Sequence, residues 1–310
     1  MELHAIILTL DEEQHIARCI ESIRAHCTSI LVIDSGSRDR TLEIARDMGA
    51  ETVVHPFTTH AAQVNAAIDM LADRPGWRLR IDADEYLEPG SGERMLAAIA
   101  HAPADCAGLT VRRHICFLGR KIRWGGIEPN PQLRVWRGGL GRSEQRWMDE
   151  HIVVNGKVAA TTVDMTDENL NSVTWWTTKH NGYASREAVQ VLLAEAGQAV
   201  TGEDSARLAF VPSVKRAIKT HVYNRLPLAL RSMAYVFLRY VLLLGFLDGR
   251  EGFYFHFLQG FWYRTLVDAK ITDVKQAMRH NGLSLDAAIQ QRLGISVAAT
   301  ALPGQTRGGA

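Results

Sequence analysis

Along the first hundred residues, short runs of apolar residues alternate with stretches of helical spacing. Residues 3–8 form a β-rich apolar run, and residues 11–24 carry Ile16, Cys19, Ile20 and Ile23 on one helical face. A second apolar run at 30–33 ends in Asp34-Ser35-Gly36-Ser37, which has turn chemistry. Residues 41–48 and 61–71 read as helices, and residues 51–55 and 77–81 as strands, the last running into Asp82-Ala83-Asp84-Glu85. Strands separated by helices of this length predict βαβ units and a parallel sheet, hence an α/β fold.

From about residue 109 the rhythm changes. Residues 109–117 and 132–136 read as strands around a Gly- and Pro-rich loop at 125–131, and no second round of βαβ units follows. A mixed-sheet extension that holds a second substrate is expected there. The last third is helical and lopsided in charge. Residues 205–247 contain no Asp or Glu, but they contain Arg207, Lys215, Arg216, Lys219, Arg225, Arg231 and Arg239. The expected division is a catalytic region at 1–200, split into a nucleotide half (1–105) and an acceptor half (106–200). A helical membrane-associating region at 201–297 and a disordered tail at 298–310 complete it.

The whole chain of 310 residues carries a net charge of only +1, which gives no sign of a nucleic-acid binder. With 46% hydrophobic and 22% charged residues, it can bury a substantial core. Cys19, Cys27, Cys106 and Cys116 form no C-x-x-C pair, so reduced thiols are expected rather than a disulfide or metal framework. The start, Met-Glu-Leu-His, lacks the basic and apolar regions of a signal peptide, which places the catalytic part in the cytoplasm.

Candidate chemistry gathers at the strand ends. In an open α/β sheet, ligands bind beyond the carboxyl ends of the strands. Asp82 and Asp84, two residues apart at such an end, suit a hard divalent cation such as Mg²⁺ or Mn²⁺ that neutralises a diphosphate; a solvated acidic turn is the plainer reading. Thr9, Asp11 and Glu12 follow the first strand. After the second, Asp34 offers acceptors to a base or ribose, Gly36 permits close backbone approach, and Asp39 is either a ligand contact or a helix N-terminal charge. G-x-G-x-x-G and G-x-x-x-x-G-K-[ST] do not occur.

Taken together, Thr9-Leu10-Asp11-Glu12-Glu13, residues 32–41 (VIDSGSRDRT) and Ile81-Asp82-Ala83-Asp84-Glu85 resemble the three signatures of family 2 glycosyltransferases of GT-A fold. Asp11 stands where that family usually has Asn, and Ser35 where it often has a second Asp. The resemblance implies a Rossmann-like mixed sheet, a nucleotide-diphospho-sugar donor (usually a UDP-sugar), a divalent cation at Asp82 and Asp84, and inversion at the anomeric carbon. Within the family, Lys179-His180-Asn181-Gly182-Tyr183 and residues 245–252 (GFLDGREG) resemble the lipopolysaccharide-core β-glucosyltransferases. That likeness implies a lipid-linked glycan acceptor at the cytoplasmic face of the inner membrane. Inversion needs a general base; Glu150 best matches the subgroup's pattern, with Asp149 second, and Lys179 and His180 are candidates for touching an anionic acceptor.

Residues 226–247 are long enough to span a bilayer, yet Arg231 and Arg239 would lie inside it. A helix lying in the interface, its cationic face toward anionic headgroups, avoids that cost, and the aromatic run at 253–263 suits the interfacial belt. The plainer reading is helices packed as ordinary core. Two other function classes are open. A metal-dependent nucleotidyltransferase would need a Gly-rich basic loop, which residues 9–15 lack, and a non-catalytic nucleotide-sugar sensor would have no use for a base at Glu150.

Overall fold

The computed structural model describes residues 2–144, 151–197 and 228–297, and the chain divides into two compact units, 1–170 and 171–310. In the first unit the expected βαβ order is present: β1 (Leu3–Thr9), α1 (Ile16–Ile23), β2 (Ser29–Asp34), α2 (Thr41–Asp47), β3 (Glu51–Val54), α3 (His60–Met70) and β4 (Trp77–Asp82). Strands β3, β2, β1 and β4 lie side by side, all parallel. The reason β1 is a continuous apolar run is that both of its faces are covered. Leu3, Ala5 and Ile7 point into one core with Ile16, Cys19 and Ile20 of α1, while Ile6 points into a second core with Val64, Ala67 and Leu71 of α3.

Beyond β4 the sheet becomes mixed. The remaining elements are β5 (Glu85–Leu87), α4 (Ser91–Ala100), β6 (Cys106–Phe117), β7 (Arg120–Ile122), β8 (Pro131–Arg137), β9 (Gly141–Ser143), β10 (Ile152–Val154) and β11 (Lys157–Glu168). β8 runs antiparallel between β4 and β6, β11 lies parallel to β6, and β5 closes the edge antiparallel to β11, giving nine strands with β7 hung on β6. The chain is therefore an α/β protein with the mixed sheet that the GT-A resemblance implies. Buried Arg78 ties this half to α3, donating to the carbonyls of Leu71 (2.6 Å) and Arg74 (2.5 Å) just past the helix end.

The second unit is helical. Its first helix, α5 (Val173–Glu195), begins at an N-cap where the Ser172 hydroxyl accepts from the Trp175 N–H. α6 (Leu228–Phe237) continues as a π-helical turn, Leu238–Leu242, and a 3₁₀ segment, Gly245–Asp248, leads into α7 (Gly249–Phe255). A second π-helical stretch, His256–Trp262, joins α7 to α8 (Tyr263–Asn281), and α9 (Leu285–Leu293) follows. α5 packs on α8, where Tyr263 donates to Glu187 (2.7 Å) and Lys275 pairs with Glu195 (2.7 Å). Residues 171–197 thus group with the helical unit, whereas the sequence pattern places them in the catalytic region.

The expected outward cationic face on residues 226–247 is corrected by the packing. Arg231 forms a forked ion pair with buried Asp268 on α8, and Arg239 is buried, its guanidinium 5.5 Å from the Tyr235 ring centre and 5.8 Å from that of Phe255. The outer surface of this segment is apolar instead. Among the described residues no single helix is long and apolar enough to cross a membrane, although Leu230–Leu242 and Gly245–Asn281, bent by 72° at their break, meet the length and composition test together. The basic residues at 207–225 and the tail at 298–310 lie outside the described residues.

Candidate active site

Parallel register brings the three signature segments to one sheet edge. Thr9 pairs with Asp34, and Leu8 with Asp82, so the chain leaves β1, β2 and β4 at the same level. After β1 the chain forms a loop rather than the predicted helical turn: α1 starts only at Ile16, and Asp11 adopts φ of 55°.

This loop and the one after β2 are stitched together. The Asp11 N–H donates to Ser37 Oγ (2.8 Å), the Arg38 N–H to Asp11 Oδ1 (2.8 Å), the Glu12 N–H to Thr41 Oγ1 (2.8 Å) and the Glu13 N–H to Asp39 Oδ2 (3.0 Å). Asp39 also accepts from the Thr41 N–H (3.0 Å) at the start of α2, so it is the helix N-terminal charge of the two readings. Burial pushes its carboxyl up, but the bonds from Thr41 and Glu13 outweigh that and hold it below the usual range. Glu12 Oε2 lies 2.6 Å from Nδ1 of buried His15.

Asp34 is fully buried. It accepts from the Thr9 hydroxyl (2.9 Å), from the Gly36 and Ser37 N–H groups (2.8 Å each) and from the Ser37 hydroxyl. Four donors fill the acceptor positions of a carboxylate. These bonds give the side chain a part in setting the shape of the loop. Gly36 has φ of +101° and nothing within 4 Å of where a Cβ would sit. Its requirement is conformational, and the space beside it is open. Gln63, buried on α3, braces the same loop by donating to Ser35 Oγ (2.9 Å).

At the end of β4, Asp82 and Asp84 are half-buried, while Ala83 and Glu85 are buried. Glu85 is 1% exposed and holds the arrangement. It accepts from Arg134 (2.6 Å), from Arg113 (2.7 Å) and from the Asp82 N–H (3.0 Å). Arg80 (3.3 Å) and Arg134 (3.5 Å) approach the Asp82 carboxylate more loosely. Burial pushes the Asp82 carboxyl up, yet Arg80, Arg134 and Arg113 win and keep it well below the usual carboxylate range. Asp84 Oδ2 accepts from the Asn169 amide (3.1 Å), and its carbonyl from the Glu168 N–H (3.0 Å).

The cluster contains residues that sequence reasoning did not assign. Asp167 on β11 lies opposite Glu85 and binds Arg113. Burial, assisted by the carboxylates of Asp84, Glu85 and Asp82, outweighs Arg113 and pushes Asp167 up to about 7. Carboxylates in one cluster are thus driven in opposite directions. The run Asp164-x-x-Asp167-Glu168-Asn169 was the available signal.

Among the described residues no group of three or more His, Cys, Asp or Glu side chains is arranged to hold a metal ion. Asp82 and Asp84 form an open pair of oxygen donors. That suits Mg²⁺ or Mn²⁺, which bind through one or two carboxylates and complete their shell with phosphate oxygens and water. Asp149 and Glu150 lie outside the described residues. Lys179 and His180 are on α5 in the helical unit: Lys179 Nζ sits 4.6 Å above the Trp175 ring, and His180 stacks on Trp176 at 3.5 Å. His180 belongs to an aromatic cluster with Tyr183 and Tyr263, and burial pushes its pKa down.

The sheet edge carries two interlocked loops and a carboxylate pair, and comparison with known proteins gives the family. A model of glycosyl transferase family 2 matches residues 5–160, just over half of the chain, and the chain belongs to that family. It is 30% identical over 164 residues to the lipopolysaccharide core biosynthesis glycosyltransferase LpsC of Rhizobium meliloti, covering 51% of this chain and 59% of that protein. An uncharacterised glycosyltransferase of Rickettsia typhi is 36% identical over 86 residues, covering 28% of this chain and 29% of the relative. The match thus spans less than two thirds of either relative. Among solved structures, glucosyl-3-phosphoglycerate synthase from Mycobacterium tuberculosis, in complex with Mn²⁺, UDP and glucosyl-3-phosphoglycerate, matches with a TM-score of 0.32 and 19% identity over 36% of this chain and 44% of that one.

Proposed function

We propose that this chain is an inverting glycosyltransferase that moves a sugar from a nucleotide-diphospho-sugar, a UDP-hexose, to a lipid-linked acceptor of the lipopolysaccharide-core type. Its place is the cytoplasmic face of the inner membrane, peripheral or monotopic. The observation that carries the reading is the half-buried pair Asp82 and Asp84 at the carboxyl end of β4, level with the ordered loops after β1 and β2. Family membership and the 30% identity to a lipopolysaccharide core glycosyltransferase support it.

In this reading the open space beside Gly36 admits the nucleotide, with the Thr9, Asp11, Glu12, Asp34 and Asp39 network holding the loop in shape. Asp82 and Asp84 hold a divalent cation, which when bound neutralises the diphosphate as it leaves. Glu85, through Arg113 and Arg134, fixes the Asp82 backbone and side chain. Glu150 takes the proton of the acceptor hydroxyl, with Asp149 the alternative, and Lys179 and His180 face the acceptor.

Calorimetric titration of UDP tests this site. With Mn²⁺ present the wild type should bind, and EDTA or Asp84→Ala should each weaken binding at least tenfold. Equal UDP binding in all three conditions would remove Asp84 and the cation from the reading.

A further inference from the structure

The helical unit has its polarity reversed at one end. From Leu230 to Phe257, Arg231, Arg239, Asp248 and His256 are turned inward or paired and Arg250, beside Glu251, faces outward, while Leu230, Met233, Phe237, Leu242, Phe246 and Phe253 are each 45–61% exposed. Water selects the opposite arrangement, because exposed apolar side chains forgo the free energy of burial. Contiguous exposed apolar surface of this kind marks contact with another apolar phase.

The contacts within the unit show how this surface is built. Arg231 meets Asp268, the Val236 side chain lies against Gly260, and Tyr240 stacks edge-on with Phe253 (5.6 Å) and His256 (6.1 Å). The paired positions converge on the 3₁₀ segment Gly245–Asp248, just past the break at Leu244, which has φ of 60°. The chain therefore runs out along α6 and its π-helical turn and comes back along α7, leaving an apolar tip at 242–247 with the outward Arg250 behind it. The outgoing limb, a 10-residue helix with a 5-residue extension, rises about 20 Å, short of the roughly 30 Å of a bilayer core.

We infer that this tip is a re-entrant wedge that enters the hydrocarbon of an anionic bilayer and leaves by the same face. The inference rests on the membrane reading above and deepens it: membrane contact is apolar insertion, rather than a cationic helix face lying on headgroups. Charge agrees with this occupant. Residues 205–247 hold seven Lys or Arg and no acid, and the two of these within the wedge, Arg231 and Arg239, are turned away from its surface, while Arg250, past the tip, faces outward. The five that precede the wedge in sequence supply the electrostatic half of a two-signal anchor on an anionic leaflet.

Full-length protein is made with Cys27→Ala and Cys116→Ala, and a polarity-sensitive fluorophore is attached at Leu242→Cys or, as a control, at Ala287→Cys on α9. Each is mixed with vesicles of phosphatidylcholine and phosphatidylglycerol at three to one. Flotation with the vesicles tests membrane contact itself. Depth is then read with lipids brominated near the headgroup or deep in the acyl chain.

The wedge predicts at least a threefold rise in emission at 242, quenched more by deep bromine than by shallow, and no change at 287. An impermeant maleimide added outside should label both Ala196→Cys and Ala287→Cys, since both ends of the wedge stay on one side. Leu242→Asp with Phe246→Asp should lower vesicle partition at least tenfold, with thermal stability in buffer unchanged. Flotation with only shallow quenching at 242 would overturn the wedge and leave the peripheral reading standing. Failure to float would overturn both, as would burial of the 242 label by self-association without lipid. Protection of one of the two end sites would make the segment a span.

Discussion

Replacing Glu85 with alanine should destabilise the first unit more than any other single acidic substitution at the site. The carboxylate is 1% exposed and receives Arg134 at 2.6 Å, Arg113 at 2.7 Å and the Asp82 N–H at 3.0 Å. Once it is gone, Arg134, itself 5% exposed, keeps only its 3.5 Å contacts with Asp82, so a buried cation loses its principal partner. Breaking a buried ion pair from one side costs about 3–5 kcal/mol, because the remaining charge stays desolvated. The three bonds to a charged group would sum to more, at about 1.5–3 kcal/mol each, but they share one carboxylate and do not add. For a unit of this size about 1 kcal/mol corresponds to roughly 2–4 °C, so the melting temperature should fall by about 6–20 °C. Urea unfolding followed by circular dichroism measures the free energy, with Glu93→Ala on the exposed face of α4 as the control, expected within about 0.5 kcal/mol of wild type. A loss below about 1 kcal/mol for Glu85→Ala would refute the assignment of Glu85 as the group that holds Arg113 and Arg134.

Asp167 gives a pH prediction with a definite sign. Its folded pKa of about 7 lies above the unfolded value of about 3.9, so its contribution to stability is complete at low pH and lost as pH rises through 7. The melting temperature of the wild type relative to Asp167→Asn should therefore fall between about pH 5 and 8; a difference that grows over that range would mean the pairing with Arg113 dominates. Asp268→Ala should cost about 1.5–3 kcal/mol by removing the forked ion pair with Arg231, and the double change Arg231→Leu with Asp268→Leu should recover most of it in the same unfolding assay. Gly36→Val should lower stability by about 1–3 kcal/mol, since φ of +101° is strained for a β-branched residue, and should weaken UDP binding through the loop; an unchanged melting temperature would show that the turn relaxes freely.

Much of the first unit was legible because its signals are local. β1 and β2 are apolar runs because they are covered on both faces, β4 alternates Trp77, Leu79 and Ile81 with Arg78 and Arg80, and each ends in a polar segment at the same sheet level. What sequence could not show was how those polar groups divide their work. Asp34 and Asp39 have the residue types of ligand contacts, but their acceptors are filled by neighbours on the two loops. β11 was missed because its outward positions are charged. Asp164 and Asp167 answer Arg112 and Arg113 on the neighbouring β6, a ladder that has no apolar alternation to read. In the helical unit, the arginines looked like an outer cationic stripe because Asp268, 37 positions away from Arg231, lies beyond any local pattern. The breaks at Leu244 and in the two π-helical stretches likewise arise from packing between elements.

The central claim is that Asp82 and Asp84 present a cation to a nucleotide-diphospho-sugar so that its sugar can be transferred. The most direct measurement is release of the nucleoside diphosphate from a panel of nucleotide-sugars, supplied with an envelope glycolipid extract as acceptor. It is run with Mn²⁺, with EDTA, and with Asp84→Ala. The account predicts release from a UDP-hexose that needs both Mn²⁺ and the glycolipid. EDTA and Asp84→Ala should each lower it by at least 10²-fold, while Asp84→Ala keeps the wild-type melting temperature within about 2–4 °C. Release that continues undiminished in EDTA and in Asp84→Ala would contradict it.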